Sequence, residues 1–251
     1  MAVCNETIWI TGATSGIGRA LALKLARQGN LVIASGRSVE KLSALRVEEP
    51  SIEVLPFDVT AEDTIKTTQQ RLRTLAPVLD RAILNAGDCE YLDLSSENWA
   101  SLEKMLQVNF LGMVNSVRVC LPLLRHSERG HLIGVGSQAI FAPFPRAEGY
   151  GASKAAVSYF LSSLRMDVHK EGIDVTEILP GFVKTPLTAR NDFAMPFLQT
   201  VDQAAAKIVR AIEKRPFQYY FPKRLYLMLR IASWLPRVWL KLQARSAQKQ
   251  N

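Results

Sequence analysis

The stretch TIWITGATSGIG, residues 7–18, joins a short apolar β-type segment to a glycine turn. After the turn Ile17, Leu21 and Leu25 recur at helical spacing, so we expect a strand, a turn and a helix in that order. Glycines in such a turn allow a tight bend and let backbone N–H groups at the helix N-terminus approach an anion. The spacing G-x-x-x-G-x-G differs from the G-x-G-x-x-G fingerprint, and no Gly-Lys-Ser/Thr of a P-loop follows. Taken alone, the turn is weak evidence for a phosphate site, because a structural turn explains it too.

The same alternation of apolar segments and helical stretches continues along the chain. Strands followed by helices of ten or more residues are typical of βαβ units, which build a parallel sheet with helices on both faces. We therefore predict an α/β fold with a doubly wound parallel sheet of the Rossmann type, in a single domain, with ligands at the carboxyl ends of the strands. The later predicted strands lie at residues 31–35, 52–57, 81–84, 131–136, 173–179 and 218–221, and the later predicted helices at residues 39–47, 61–75, 97–125 and 150–171.

The composition is that of an ordinary globular protein. Of the 251 residues 48% are hydrophobic and 22% charged, which excludes collagen-like, low-complexity and disulfide-scaffold proteins. Cys4, Cys89 and Cys120 form no C-x-x-C pair, which favours a reducing compartment. Glu6 and Gly12 interrupt the segment where a signal peptide would be apolar, and no uncharged apolar stretch of 18 residues is present. We expect a cytoplasmic protein.

The basic residues concentrate in one segment. Residues 214–251 hold nine Lys and Arg and no acid, so the rest of the chain is nearly neutral although the net charge is +8. We predict a domain at residues 1–222 and a basic amphipathic helical extension at residues 223–251, divided at Pro236. Such an extension suits an anionic membrane surface, here the inner face of a membrane, but closure of a cleft or a subunit contact explains it as well. Nucleic acid is not an expected partner, because the apolar face would have no use there.

Five further motifs occur in order at the ends of predicted strands or within predicted helices. They are Asn85-Ala86-Gly87 after the fourth strand, Asn109 in the long helix, Ser137 after the fifth strand, Tyr150-Gly-Ala-Ser-Lys154 in the next helix, and Pro180-Gly181 with Thr185 after the sixth strand. With the glycine turn they make the chain resemble the short-chain dehydrogenase/reductase (SDR) family, in its NADP(H)-preferring type, over about residues 5–215. Leu84 departs from the pattern, since the family often has an asparagine there.

A catalytic set of four residues follows from the resemblance. Tyr150 and Lys154 are four residues apart on a predicted helix, so their side chains share one face. A neighbouring ammonium group favours the phenolate, which would lower the tyrosine pKa from about 10 toward the working range. The resemblance implies that Tyr150 exchanges a proton with the substrate oxygen, that Ser137 orients this oxygen, that Lys154 also binds the nicotinamide ribose, and that Asn109 holds a water in the proton relay.

The end of the second strand bears on the choice of cofactor. It reads Ser35-Gly36-Arg37, whereas NAD-dependent relatives usually place an acid there to bind the ribose diol. Arg37 offers a planar, permanently charged group for a 2′-phosphate, so NADP(H) is favoured over NAD(H). No metal is expected, because His126, Glu128 and His131 lack the i, i+4 spacing of a helical zinc site. The resemblance implies cofactor contacts from Gly12, Thr14, Ser15, Gly16, Ile17, Gly18, Arg37, Asp58, Val59, Asn85, Ala86, Gly87, Tyr150, Lys154, Pro180, Gly181, Val183 and Thr185.

The segments 138–148 and 186–200 correspond to the substrate cleft of the family. Their apolar side chains indicate a lipophilic carbonyl compound or secondary alcohol, although packing in the core or at a subunit contact explains them nearly as well. We expect a hydride-transferring oxidoreductase; the alternative is a non-catalytic NADP(H)-binding sensor or membrane-surface scaffold of the same fold. The resemblance also implies a homodimer or homotetramer. The apolar residues of the two segments are Phe141, Phe144, Phe193, Met195, Phe197 and Leu198.

Overall fold

Seven parallel strands form one sheet within residues 3–96 and 99–248, the part of the chain that this computed structural model describes. The strands are β1 Thr7–Thr11, β2 Leu31–Gly36, β3 Ile52–Pro56, β4 Arg81–Leu84, β5 His131–Val135, β6 Asp174–Pro180 and β7 Gln218–Phe221. Their spatial order is β3-β2-β1-β4-β5-β6-β7, and every neighbouring pair is parallel. The predicted doubly wound sheet is confirmed, and each predicted strand agrees with the structure to within one residue at either end.

Helices connect these strands on both sides of the sheet. The helices are α1 Gly16–Ala26, α2 Val39–Glu48, α3 Ile65–Leu75, α4 Ala100–Met105, α5 Gly112–Leu124, α6 Glu148–Val168, α7 Val201–Lys214, α8 Lys223–Trp234 and α9 Pro236–Gln248. We did not predict α7, although its sequence carries two signals. Thr200 and Gln203 form a capping box at its start, and its buried Ile208 and Ile212 are one helical turn apart.

The sheet separates two apolar cores. On β1 the side chains of Ile8 and Ile10 enter the core beneath α1, α2 and α7, whereas Trp9 between them enters the core beneath α3, α5 and α6. Alternate residues of a strand point to opposite faces, so a strand buried on both sides reads as a continuous apolar segment. Each fully buried large aliphatic side chain stabilises the fold by about 1.5–3 kcal/mol.

The long helical stretch predicted at residues 97–125 is interrupted in the structure. Residues 97 and 98 lie outside the described residues, and a π-helical turn, Leu106–Leu111, separates α4 from α5. This turn carries Asn109, which is fully buried. Apolar periodicity predicts helix without distinguishing the α from the π form, which explains the incomplete prediction; π turns occur frequently at functional sites.

A row of buried polar side chains crosses the sheet at the amino ends of the central strands. Arg81 on β4 forms an ion pair with Glu6, and its Nη1 lies 2.7 Å from Nδ1 of His131 on β5. The His131 Nε2 lies 2.9 Å from Oγ1 of Thr176 on β6, and that hydroxyl donates to the Pro216 carbonyl at 2.6 Å. Arg81 donates to Nδ1 of His131, and the Thr176 oxygen, whose own proton goes to Pro216, accepts from Nε2. His131 is therefore neutral with its proton on Nε2.

The helices α8 and α9 follow β7 and are divided at Pro236, as predicted. Leu225, Leu229 and Ala232 of α8 are buried in a third, smaller cluster that also contains Ala142. The division of the chain at residue 222 stays a prediction, and the last predicted basic residue, Lys249, lies outside the described residues. Within the described part of the chain, no helix is both long and apolar enough to cross a bilayer.

Candidate active site

A cleft of about 280 Å³ lies at the carboxyl ends of the strands. Eighteen of the twenty predicted site residues line it, from the turn after β1 to the segment after β6. The other two, Gly18 and Asn109, lie behind the lining. Ten lining residues were not predicted: Gly36, Phe57, Thr60, Asp88, Val108, Val135, Gly136, Pro186, Leu187 and Thr188.

The glycine turn after β1 brings backbone close to backbone. Gly12 and Gly16 have positive φ values of 66° and 52°, a conformation that other residues adopt only with strain. A side chain on Gly12 would place its Cβ 2.8 Å from Cα of Ala86. A side chain on Gly18 would place its Cβ 2.3 Å from the Gly12 carbonyl oxygen, so Gly18 permits close packing of helix and turn.

The first turn of α1 fits an anionic group. Ser15 is the N-cap residue, and its side chain accepts no capping hydrogen bond. The N–H groups of this first turn therefore have no intrahelical or capping acceptor, and they border the cleft at the positive end of the helix dipole. Nearby, the side-chain Nδ2 of Asn85 donates to the Gly12 carbonyl at 3.2 Å and fixes the turn against the end of β4. These features fit a dinucleotide pyrophosphate.

Arg37 and Asp58 lie at the cleft end that follows β2 and β3. The Arg37 side chain is exposed, and within the described residues it takes part in no ion pair. Asp58 accepts hydrogen bonds from the backbone N–H and the hydroxyl of Thr60, at 2.9 and 2.8 Å. Gly36 leaves room for Thr14, whose Cγ2 would lie 2.7 Å from a Cβ at that position. The arrangement leaves an exposed guanidinium group at this end of the cleft.

Tyr150, Ser137 and Lys154 meet at the other end of the cleft. Tyr150 and Lys154 lie one turn apart on α6, and Ser137, two residues after β5, lies beside Tyr150 and lowers the pKa of its phenol. The Lys154 Nζ donates to the Val135 carbonyl at 3.0 Å. The three predicted side chains are therefore brought together by the end of one strand and one face of one helix.

Burial dominates the acid–base properties of this group. It raises the pKa of the Tyr150 phenol above its usual 10, in the same direction as the charge of Cys89, whereas the hydrogen bond with Ser137 lowers it. Burial also lowers the pKa of Lys154 to about 8, opposed by Cys89 and Glu177. We expected the ammonium group of Lys154 to lower the Tyr150 pKa. In the structure desolvation of the phenolate outweighs any such effect, so that expectation is wrong.

Asn109 acts from behind the cleft wall. Its Oδ1 accepts from the Asp88 backbone N–H at 2.8 Å, and its Nδ2 donates to the Asp88 carbonyl and to the Ser153 hydroxyl, both at 3.0 Å. A Cβ on Gly87 would lie 2.9 Å from Oδ1 of Asn109 and 3.4 Å from Nζ of Lys154. Asn109 and Lys154 thus border the same small space at Gly87, where a hydrogen-bonded connection between them is geometrically feasible.

Sequence reasoning missed Glu177, a buried carboxyl group behind Lys154. Its Oε2 accepts from Ser158 at 3.0 Å and from Gln218 at 2.8 Å, while Oε1 has no hydrogen-bond partner among the described residues. Burial raises the pKa of Glu177, opposed by these two hydrogen bonds and by Lys154. The residue lies within β6, where only the strand register reveals that it approaches Gly136 and Lys154.

The six predicted apolar substrate residues are not among those that line the cleft. Phe193 packs edge-on against Tyr91, whose hydroxyl donates to Asn191 at 2.9 Å. Phe197 and Leu198 are each 43% exposed. The segment 186–200 reaches the cleft through Pro186, Leu187 and Thr188 instead, and the Thr188 hydroxyl holds it by donating to the Val183 carbonyl. The resemblance therefore located the segment 186–200 at the cleft, whereas none of the residues 138–148 lines it and the apolar pattern did not identify the contacts.

The two histidines that were considered and rejected as metal ligands do not line the cleft. His131 is buried in the polar row at the amino ends of the strands, and His126 is exposed in the turn after α5. Within the described residues no cluster of His, Cys, Asp and Glu has the arrangement of a metal site. The three cysteines are free thiols.

Comparison with known proteins gives consistent results. A family model described as short chain dehydrogenase matches residues 6–194. An uncharacterized oxidoreductase of Myxococcus xanthus is 38% identical over 247 residues, which are 96% of each chain. An uncharacterized oxidoreductase of Staphylococcus aureus strain MW2 is 35% identical over 188 residues, 72% of this chain and 79% of the relative.

Solved structures resemble the fold closely at low sequence identity. A short-chain dehydrogenase from Streptomyces avermitilis superimposes with a TM-score of 0.82 at 22% identity, covering 98% of this chain and 99% of the other. A short-chain dehydrogenase/reductase from Burkholderia phymatum, solved in complex with NAD, gives a TM-score of 0.81 at 20% identity, covering 92% and 93%.

Proposed function

The chain belongs to the short-chain dehydrogenase family and is an NAD(P)-dependent oxidoreductase, and we propose that it uses NADP(H) to interconvert a lipophilic carbonyl compound and its secondary alcohol, with Tyr150 as general acid and base. The observation that carries the proposal is the meeting of Ser137, Tyr150 and Lys154 at one end of a cleft whose other end is lined by Arg37.

The preference for NADP(H) rests on Arg37. A 2′-phosphate on the adenosine ribose would meet a guanidinium group that has no competing carboxylate partner in the described residues. Charge-assisted hydrogen bonds of this kind contribute about 1.5–3 kcal/mol each. The segment after β2 also lacks the acid that would bind a ribose diol. The Burkholderia phymatum enzyme was solved with NAD, which concerns that enzyme.

The residues of the site divide the chemistry among them. A bound reduced nicotinamide supplies the hydride that adds to the carbonyl carbon. Tyr150 donates its phenolic proton to the carbonyl oxygen, so that the alcohol forms and the phenolate remains, and Ser137 hydrogen-bonds the same oxygen and orients it. Lys154 stabilises the phenolate through its positive charge and, once released from the Val135 carbonyl, binds the ribose hydroxyls. Asn109 fixes the neighbouring Asp88 backbone and completes the proton path from Lys154.

A lipophilic substrate is supported by aromatic side chains that pack beside the cleft, although they do not line it. Phe182, Phe193 and Tyr91 pack together after β6 and β4, and Phe141 and Phe144 follow Ser137. Apolar rings near a small number of polar groups are typical of pockets for uncharged organic ligands.

The proposal extends to assembly and location. Tyr159 and Met166 on α6 are 79% and 71% exposed, which supports a contact between copies in a homodimer or homotetramer. The acid-free basic segment 223–251 supports a peripheral position on the inner face of a membrane, with the rest of the protein in the cytoplasm.

The test is NADPH oxidation, with NADH in parallel, against aldehydes and ketones of increasing lipophilicity. We expect turnover with NADPH that is more efficient for the more lipophilic compounds. Replacement of Tyr150 by Phe removes the proton donor, so turnover should fall at least a hundredfold, since general acid catalysis contributes about 10²–10⁴. NADPH binding, measured by fluorescence, should persist.

The alternative, a non-catalytic NADP(H) sensor or membrane scaffold, makes the opposite prediction. It predicts NADPH binding without turnover of any compound, both in the wild type and in the Tyr150→Phe variant. Unchanged turnover in this variant would contradict the role of Tyr150 even if the protein is an enzyme.

A further inference from the structure

We propose that α8 and α9 lie on an anionic lipid bilayer and hold the segment 137–144 at that surface, so that a lipophilic substrate passes from the bilayer to Tyr150. The delivery of substrate rests on the proposed function, whereas the lipid contact is inferred only from the surface properties of α8 and α9. The inference depends on three observations: an apolar face without a partner, an excess of positive charge, and the packing of these helices against the site.

The first observation is that α8 is apolar on two opposite faces. Leu225, Leu229 and Ala232 are buried against the protein. Leu227, Ile231 and Trp234 recur at i, i+4 and i+7 on the opposite side, and they are 60%, 47% and 74% exposed. A helix that needed only to close the protein would be polar on its outer face.

Exposed apolar residues also recur beyond α8. Leu235, at the junction of the two helices, and Val238 and Leu242, one turn apart on α9, are each more than half exposed. Exposed apolar residues scattered singly need no explanation, but a group that recurs along two successive helices marks a contact surface. The exposed indole of Trp234 is the type of side chain that favours the boundary between lipid and water.

The second observation is the charge around this face. Lys223, Arg224, Arg237 and Lys241 are exposed and, within the described residues, form no ion pair. The guanidinium of Arg230 lies over the Phe141 ring at 5.7 Å. No acid occurs from residue 214 onward. Such a surface attracts anionic headgroups, and it disfavours a second copy of the same surface, because the two excesses of charge would repel.

The third observation links this surface to the site. Leu225 lies against Gly181, where a Cβ would be 2.5 Å from its Cδ2. The Phe141 ring meets Tyr226 of α8 edge-on at 5.1 Å. The Trp239 indole of α9 donates to the Pro143 carbonyl at 2.7 Å. The segment held in this way begins at Ser137, so the helices that would touch lipid also position the residues next to the substrate oxygen.

The lipid contact is tested by sedimentation of the full chain with vesicles. We expect binding to vesicles of phosphatidylcholine with phosphatidylglycerol, weak binding to phosphatidylcholine alone, and weakening by salt. The double variant Leu227→Ser, Trp234→Ser and the double variant Arg237→Gln, Lys241→Gln should each bind at least tenfold more weakly. Matched controls are Val47→Ser with Leu94→Ser and Lys66→Gln with Arg73→Gln, which alter exposed residues elsewhere.

Each other result of this experiment would contradict the inference. Binding of the wild type to both kinds of vesicle alike, or to neither, would overturn the anionic surface. Equal binding by the α8–α9 variants and their controls would overturn the assignment to these helices. If the Leu227→Ser, Trp234→Ser variant changed from oligomer to monomer in light scattering while wild-type vesicle binding was absent, the face would be a contact between copies.

Substrate delivery is tested by kinetics with two ketones, one water-soluble and one long-chain. Anionic vesicles should raise kcat/KM for the long-chain ketone at least fivefold and leave the water-soluble ketone unchanged. In the Leu227→Ser, Trp234→Ser variant the vesicles should no longer raise kcat/KM for the long-chain ketone. Its kcat/KM without vesicles should equal that of the wild type. Equal rates with and without vesicles would overturn delivery. No turnover of either ketone would overturn the proposed function and the delivery with it, while the sedimentation result would still decide the lipid contact.

Discussion

At the scale of single residues, the sequence located those site groups that stand where a strand ends. Ser137 and Arg37 fall into this class, because apolar segments fix strand ends to within about one residue and parallel strands end at the same edge of the sheet. Gly18 and Asn109 are near the site but behind its wall, and Glu177 was missed altogether. Their positions depend on how helix, turn and strand pack against one another, which spacing along the chain does not encode.

Replacement of Arg37 by Ser should weaken NADPH binding and leave NADH binding little changed. The variant lacks the guanidinium group and loses a charge-assisted hydrogen bond to the 2′-phosphate, so the Kd for NADPH should rise roughly 10- to 100-fold. Titration of both cofactors by fluorescence measures this. Arg73→Ser, at an exposed site on α3 outside the cleft, is the matched control. An equal effect on the two cofactors would contradict the role of Arg37.

The pKa of Lys154, about 8, predicts the pH dependence of cofactor use. Below pH 8 the ammonium group is present; above it the charge is lost, so kcat/KM for NADPH in carbonyl reduction should fall by up to tenfold per pH unit. The Glu177 carboxylate raises the Lys154 pKa, so Glu177→Gln should shift this decline to lower pH. Pre-steady-state and steady-state rates from pH 6 to 10 measure the shift, with the exposed Glu62→Gln as control. A profile unchanged by Glu177→Gln would contradict the coupling.

At the scale of secondary-structure elements, the strands were predicted better than the helices. A strand buried on both faces is a continuous apolar segment and is easily seen in the sequence. The π turn at Leu106–Leu111 and the amphipathic α7 were not predicted, although α7 carries a capping box at Thr200. Asn109 in the π turn hydrogen-bonds Asp88 and Ser153, which lie 21 and 44 residues away, so the spacing of residues along the helix does not reveal these contacts.

The polar row across β4, β5 and β6 predicts a loss of stability in acid. Burial, chiefly, lowers the pKa of His131 well below its ordinary value of 6.5, with Arg81 acting in the same direction. Below pH 6.5 His131 is protonated in the unfolded chain but stays neutral in the folded protein. The free energy of unfolding therefore falls as pH falls. For this group the slope is at most about 1.4 kcal/mol per pH unit, and above pH 6.5 it contributes none.

Urea unfolding at pH 7.5, 6.5 and 5.5 measures this slope. His131→Gln should be less stable at every pH, because it disturbs the Arg81 and Thr176 contacts, but it should lose less stability between pH 6.5 and 5.5 than the wild type. The exposed His126→Gln should retain the wild-type slope. Equal slopes in all three proteins would exclude His131 as the titrating group.

At the scale of the whole molecule, the sequence predicted one doubly wound sheet and a helical segment broken at Pro236, and both are present. It did not reveal that α8 is part of the apolar interior. Two of its leucines are buried against the segment after β5. Which side of an apolar helix faces the protein is decided by the shape of the surface that receives it, and the sequence of the helix alone does not contain that information.

Ending the chain after Pro222 should therefore destabilise the remaining protein. Removal of Leu225 and Leu229 exposes their partners and costs about 3–6 kcal/mol of the free energy of unfolding, at about 1.5–3 kcal/mol for each buried leucine. Ending it after Leu235 retains α8 and should cost less. Urea unfolding of both truncated proteins beside the full chain measures the difference. Equal stability of the shorter protein and the full chain would show that α8 contributes nothing to the interior.

The order of the elements along the chain has a consequence for synthesis. The apolar outer faces of α8 and α9 are encoded after every strand of the described sheet, so a ribosome releases them only when the sheet and its two cores can already form. A surface that would promote aggregation of an unfolded nascent chain is in this way synthesised only after all seven strands of the described sheet. Moving the same two helices ahead of β1 by circular permutation would reverse this order and expose the growing chain to self-association.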